Sequence, residues 1–467
     1  MSDPVLDHLE TEKPAIVQRL LELIRVPSVS TDPSYEQGMS QIREVLLERL
    51  CGMGLSNVQT LEAGGHPALY GEWLDARDKP TLLVYGHYDV QPPDPLEQWL
   101  SPPFEPEIRD GRIYGRGASD DKGPSSIALE TIAAFLRVED RLPCNVKVML
   151  EGEEETGSRS LGAIVRNYRE LLAADAVLSA DGARWRPDLI TVNVGSRGNA
   201  GFEFTVRTAA KDLHSGRYGG AVANALHVMA GLIAGLHARD GSVAVPGFYD
   251  GALAVGEAER LAVAGIPFDE ESYFAAIGAE PVGEPGYTTL ERLWLHPCLD
   301  VNGMWGGYTG LGGKTVIPSE AHAKVTMRLV PGQDPSRISR SVKDFLISRC
   351  PDGCEIHFGA DRGQSAAYEL PGDHPLLVAV EAALTQTHGA APHRVRVGGT
   401  LPVSDIVRRE LGIDTVMFSF STADEDIHAP NEFFRLSSID DGLQAWTWLF
   451  RHLDTASARD FTGFHHR

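Results

Sequence analysis

Four apolar runs constrain this chain more than any other feature. "TLLVYGH" (81–87), "NVKVMLEGEE" (145–154), "AVLSAD" (176–181) and "LITVNVGS" (189–196) read as strands, each too short for a helix of ordinary length. Helical patterns lie between and before them, at about 4–25, 36–51, 123–138 and 160–172. Near-continuous apolar strands spaced by helices predict an α/β layer fold whose sheet is covered on both faces. Each of the first three strands also stops at a histidine or a carboxylate.

The pattern changes after "GSRGNAG". "FEFTVRTA" (202–209) and "AHAKVTMRLV" (321–330) alternate like half-exposed strands, "CEIHFGA" (354–360) follows them, and helices are expected near 222–237 and 335–349. Three strands and two helices describe a small α+β domain. Residues 239–318, rich in Gly, Pro and Ala, carry no clear pattern. The helix–strand alternation returns with "HPLLVAVEAAL" and "TVMFSF". The expected organisation is a discontinuous α/β sandwich domain (1–197 and 364–467) interrupted by an α+β domain (198–363). There is no internal repeat.

Charge narrows the partners. The chain of 467 residues has 42 basic against 65 acidic residues, a net of −23. Nothing is in surplus to neutralise phosphates, so nucleic acid and acidic membrane surfaces are not expected partners. No apolar run approaches the roughly 20 residues of a membrane span, and the first 30 residues read as an amphipathic helix, not a signal peptide. Five scattered cysteines fit a reducing, cytoplasmic setting. "CPDGC" (350–354) has no second cysteine pair and reads as a turn between helix and strand.

The chemistry-bearing residues follow the apolar runs. His87 and Asp89, two apart on an extended segment, share a face. They are either a strand-end histidine capped by an acid, or a metal-ligating imidazole held by a neighbouring carboxylate. Asp120 and Asp121 in "YGRGASDDKGP" are adjacent carboxylates before a helix. They serve as an N-cap, or they share a cation. Glu151, Glu153, Glu154 and Glu155 in "LEGEEETGS" make a solvated face, or they line the carboxyl end of a buried strand, where ligands bind in open α/β sheets. "LSADG" ends another strand at Asp181, and "DIHAPNE" places His428 shortly after "TVMFSFST". "GLGGKT" (310–315) is not a phosphate loop, because position 308 is Tyr where a Walker A needs Gly. Ser215 lacks the G-x-S-x-G surroundings of a nucleophilic serine.

Taken in order, "GHYDVQP", "GRGASDDKGP", "EGEEETGS", "SADG" and "HAPNE" resemble the motifs of the M20 family of metallopeptidases. "DLHSGRYGG", "MRLVP" and "GGTLPV" resemble most its carnosinase-like dipeptidase branch. The resemblance implies two divalent metal ions per chain, Zn2+ or else Mn2+. His87 and Asp181 would hold one, Glu155 and His428 the other, and Asp120 would bridge them. Asp89 would orient His87, Glu154 would be the general base, and the Asp120–Asp121 bond would be cis. Outside the metals, the resemblance implies that His214 meets the substrate oxygen, often across a dimer interface. Arg328 would clamp a substrate carboxylate, and Thr315 and Thr400 would shape the pocket. The inserted domain would be a lid and dimerisation module. The expected function is hydrolysis of dipeptides or short peptides by a homodimer. Hydrolysis of N-acyl or N-carbamoyl amino acids is the alternative, and a non-catalytic metal- or peptide-binding protein on the same fold is a third reading.

Overall fold

The computed structural model describes residues 3–399 and 402–466, which divide into two compact units. The first comprises Met1–Val194, Leu370–Val395 and Pro402–Arg467; the second comprises Gly195–Glu369 and Arg396–Leu401.

The first unit is built on a six-stranded sheet. Its order is Ser56–Leu61, Ala68–Trp73, Asn145–Glu151, Thr81–His87, Ala176–Ser179, Thr415–Met417. The last four strands run parallel, and the first two add an antiparallel hairpin. Strand Thr81–His87 shows why it sits inside: Leu82, Leu83, Val84 and Tyr85 are all buried, so both faces are covered. Leu83 and Tyr85 join Tyr70, Met149 and Val177 in a core closed by Ile164, Val165, Val403 and Val407. These last four come from helices Leu161–Asn167 and Pro402–Leu411. Helix Gly123–Glu139 also packs on this strand, and helices Pro4–Ile24 and Leu436–Leu453 pack on that helix. The first helix starts where the sequence marks a start: Asp3 accepts from the backbone N–H groups of Val5 and Leu6, with Pro4 following.

The chain order sets the position of the crevice. From the central strand Thr81–His87 the chain crosses to Asn145–Glu151 on one side, then returns to Ala176–Ser179 on the other. The strand order reverses there, and the carboxyl ends of the three strands open a crevice between diverging loops.

The second unit is different in kind. An antiparallel sheet runs Cys298–Gly306, Glu320–Leu329, Gly198–Arg207, Glu355–Phe358, with Arg362–Ser365 also paired to Gly198–Arg207. Phe202, Phe204, Val325 and Met327 point into a core with Met229, Val342 and Leu346 of helices Ala225–Ala234 and Pro335–Arg349. The residues between them, such as Glu203, Thr205 and Lys324, stay partly or fully exposed.

Two departures from the sequence reading have local causes. The pattern at 160–172 predicts one helix, but it breaks at Tyr168, whose backbone leaves the helical region (φ −113°, ψ 26°). The sheet of the second unit has two strands more than the three expected. Cys298–Gly306 is mostly exposed and bulges between Val301 and Gly303, and Arg362–Ser365 is "RGQS", so neither shows apolar alternation. The "CPDGC" turn lies where expected, between helix Pro335–Arg349 and strand Glu355–Phe358.

Candidate metal centre

Four loops at the carboxyl end of the sheet bring the candidate ligands together. His87 is the last residue of its strand, Glu154 and Glu155 form a short turn after Glu151, and Asp181 follows Ser179 by two. Asp120 comes from the loop before helix Gly123–Glu139, and His428 from the segment after strand Thr415–Met417. Possible ligand atoms of His87, Asp120 and Asp181 lie within 4.8 Å of one another, and so do those of Asp120, Glu155 and His428. Asp120 belongs to both groups. Its Oδ1 is 2.9 Å from His87 Nε2 and its Oδ2 is 3.0 Å from His428 Nε2, which is also 3.2 Å from Glu155 Oε2. One carboxylate thus offers one oxygen to each side. His428 adopts a left-handed backbone (φ 64°), uncommon away from glycine and frequent at functional sites.

The sequence left two readings open for several of these residues, and the structure separates them. The N-cap of helix Gly123–Glu139 is Lys122, and no side chain caps it. Asp121 instead accepts from the His87 backbone N–H (3.1 Å) and the Ser125 hydroxyl (2.6 Å), and the Asp120–Asp121 peptide bond is cis. The glutamate run is not a solvated face: Glu151 and Glu153 are buried and the Glu155 side chain is 2% exposed.

Around the ligands, Asp89 works in two directions. Its backbone carbonyl lies 3.0 Å from His87 Nδ1, and its carboxylate Oδ1 lies 3.4 Å from the same nitrogen. An Nδ1–H donating there leaves the Nε2 lone pair facing Asp120. The Asp89 carboxylate also accepts from the backbone N–H groups of Glu154 (3.3 Å) and Glu155 (3.1 Å) and from the Ser30 hydroxyl (2.6 Å). It therefore pins the turn that carries both glutamates. Gln91 donates to Glu155 Oε2 at 2.7 Å.

Electrostatically the cluster is crowded. Burial pushes the Glu154 carboxyl well above the usual carboxylate range and Asp181 up to about 6. Burial works against a charged His87, but its hydrogen bonds to Asp120 and Asp89 outweigh it and raise its pKa well above the ordinary value. Burial would likewise raise Asp120, yet its bonds to His428 and His87 prevail and lower it. Hydrogen bonds to Asp120 and Glu155 push His428 up to about 10. Close-set carboxylates with little water and two imidazole nitrogens are what a divalent cation satisfies. The donor set, all oxygen and nitrogen with no thiolate, fits Zn2+ or Mn2+.

Sequence reasoning missed the pair that ties these loops together. Glu432, fully buried, accepts from Arg116 Nη1 (2.8 Å) and from the backbone N–H groups of Gly117 (2.9 Å), Ser119 (2.8 Å) and Asp120 (3.1 Å). Arg116, also buried, donates to the carbonyls of Ala429 (3.2 Å) and Pro92 (3.3 Å). The two partners are 316 positions apart, so no local spacing could have paired them. The one signal was an unexplained charge inside each of two otherwise assigned motifs.

The remaining candidates lie in the second unit. His214 is exposed on the short strand Leu213–His214, paired with Val316–Ile317, and the Ser215 N–H donates to the Thr315 carbonyl at 3.1 Å. Arg328 sits near the other end of strand Glu320–Leu329, opposite Cys298 and Asn199. Thr400 lies outside the described residues.

Fold and site together define a divalent-metal hydrolase with its centre at a strand-order switch. The family follows from comparison: the model of Peptidase family M20/M25/M40 matches residues 83–452, and this chain belongs to that family. The Cys-Gly metallodipeptidase DUG1 of Candida albicans is 28% identical, covering 94% of this chain and 95% of that protein. The mouse Beta-Ala-His dipeptidase is 27% identical, covering 92% and 91%. Among solved structures, human carnosine dipeptidase 1 superposes with a TM-score of 0.80 at 26% identity, covering 97% and 98% of the two chains. An M20 family metallo-carboxypeptidase from Sulfolobus solfataricus gives 0.84 at 29%, covering 94% and 99%.

Proposed function

We propose that this chain is a two-metal dipeptidase, and the observation that carries the reading is Asp120, offering one oxygen toward each of two ligand groups. His87 and Asp181 would hold one ion, Glu155 and His428 the other. Two divalent ions there, Zn2+ or Mn2+, would polarise the scissile carbonyl and make a water acidic enough to attack near neutral pH. Glu154 belongs to neither ligand group, so its carboxylate is left for proton work: it takes the proton of the attacking water and delivers it to the leaving amine. Asp89 keeps the His87 tautomer and the Glu154–Glu155 turn in place. The relatives named as dipeptidases over more than nine-tenths of this chain favour short peptides as substrate.

Residues 1–197 and 364–467 would form the catalytic domain and 198–363 the lid and dimerisation domain. Within the second unit, Asp212 accepts from Ser319, next to Glu320, which keeps the His214 segment at the start of strand Glu320–Leu329. Arg328 is eight residues further along it, roughly 26 Å at the rise of a strand. A dipeptide spans only about 7 Å. One lid cannot place both side chains on one dipeptide, so His214 would come from a second copy while Arg328 clamps the substrate carboxylate. Edge strand Cys298–Gly306, with Met304 and Trp305 exposed, has the apolar surface a homodimer would cover. Thr315 and Thr400 would complete the pocket wall. The cysteines are all unpaired, in keeping with the cytoplasm.

The direct test is a panel of dipeptides and N-acyl or N-carbamoyl amino acids offered to enzyme reconstituted with Zn2+ or Mn2+. Dipeptides are expected to turn over. Turnover confined to the acyl compounds would move the chain to the alternative reading, and none on either, with metal bound, to a binding role. Mixing His214→Ala with Glu154→Gln subunits tests the shared site: activity should reappear in mixed dimers, and its failure despite verified exchange would return His214 to its own chain.

A further inference from the structure

Three helices of the first unit line an open cleft of about 440 Å³ with residues outside the metal cluster, within the roughly 300–1,000 Å³ of small-molecule sites. His8, Glu12, Ile16 and Arg19 recur every three to four residues and form one stripe of helix Pro4–Ile24. Glu130 and Arg137 face them from helix Gly123–Glu139, and Arg49 comes from the end of helix Glu36–Gly52.

The ion cluster at its heart is uneven. The Glu130 carboxylate accepts from Nε and Nη2 of Arg19, both at 2.7 Å, and from Nη2 of Arg49. Two guanidiniums share one carboxylate. The Arg49 side chain is only 14% exposed, and Glu130 is its one side-chain partner among the described residues. Burial pulls its pKa down, against the opposing pull of Glu130 and Glu22. Arg137, His8 and Glu12 make no side-chain hydrogen bond or ion pair among the described residues. The lining carries three guanidiniums and two carboxylates, and Glu22, outside the lining, acts on both Arg19 and Arg49. Leu9, Ile16, Met53 and Leu136 supply apolar wall.

We propose that this cleft binds a small molecule with a carboxylate and an apolar body, its carboxylate on Arg49 and Arg137, away from the metals. A carboxylate takes two parallel N–H groups of a guanidinium, and an apolar body meets the apolar wall. A phosphate dianion would leave the apolar wall unused. The Glu12 carboxylate, which makes no hydrogen bond or ion pair among the described residues, can accept an ammonium, so a free amino acid and a simple fatty acid both satisfy the site. The proposal stands whether or not the chain cleaves dipeptides.

Calorimetric titration of the full chain with 4-methylvalerate, leucine, 4-methylvaleramide and inorganic phosphate tests it. We expect saturable binding of at least one of the two carboxylates, little from the amide or phosphate, and weakening by about 10–100-fold in both Arg49→Gln and Arg137→Gln. Peptidase kcat without added ligand should not change in either variant. Tighter binding of leucine than of 4-methylvalerate assigns the site to amino acids, and the reverse assigns it to simple acids. Arg137 is exposed, so its variant keeps the test alive if Arg49→Gln fails to fold. No carboxylate binding, an amide or phosphate that binds equally well, or affinity unchanged in a folded variant would overturn the proposal.

Discussion

The two sheets of this protein obey opposite rules. In the first unit the central strand is buried on both faces, so its residues 82–85 are spent on packing and chemistry can appear only where the strand ends. In the second, strand Glu320–Leu329 buries every other residue and leaves His322, Lys324 and Arg328 on a face without that core. A sheet clamped on both sides holds its end loops to the tolerance that the proposed metal centre would need. A half-open sheet keeps a surface for recognition.

The comparison makes ranked predictions. The largest effects belong at the strand ends. Glu154→Gln should lower kcat by at least about 10²–10⁴-fold with both metals retained, while Asp120→Ala should lose at least one ion per chain along with activity. Metal analysis beside kinetics separates the two, and two ions still bound to Asp120→Ala would end the bridging role. Next comes Glu432→Gln, which leaves Arg116 buried beside a neutral amide. About 3–5 kcal/mol of stability should go, the scale seen when a buried pair loses one partner, together with weaker metal binding, measured by denaturant unfolding and metal titration. Metal affinity that stays at the wild-type level would mean that Asp120 is held without it.

The middle of the strands supplies the control. Leu83→Ala, in the doubly covered sheet, should cost about 2–5 kcal/mol. Lys324→Ala, whose exposed ammonium lies 3.8 Å from Glu203, should stay within about 0.5 kcal/mol. Comparable losses at the two sites would erase the contrast between the sheets. Smallest in free energy is Arg328→Lys, which should raise KM for dipeptides with a free carboxylate more than for their amides, because lysine lacks the planar fork. An equal rise for both would give Arg328 a structural role.

Much of this was legible along the chain because it is local. Apolar runs marked strand Thr81–His87 to the residue, and Asp3–Pro4 marked a helix start. The candidate ligands His87, Glu155 and Asp181 were visible as polar residues just past an apolar run, since a buried strand can present chemistry nowhere else. Strand Cys298–Gly306 was illegible for the converse reason: mostly exposed, it needs no apolar alternation.

The sequence by itself determined the α/β layering around strand Thr81–His87, the bounds of helices such as Pro4–Ile24 and Pro335–Arg349 within a few residues, and the identities of the groups available for a metal centre, because burial and backbone propensity act over a few neighbouring residues. It left open whether Asp120 and Asp121 cap a helix and whether the glutamates are solvated. Only the tertiary structure decided these. The answers depend on which loops the strand order brings together, on a His428 imidazole 308 positions from Asp120, and on a buried Arg116–Glu432 pair whose attraction is set by distance in space and not along the chain.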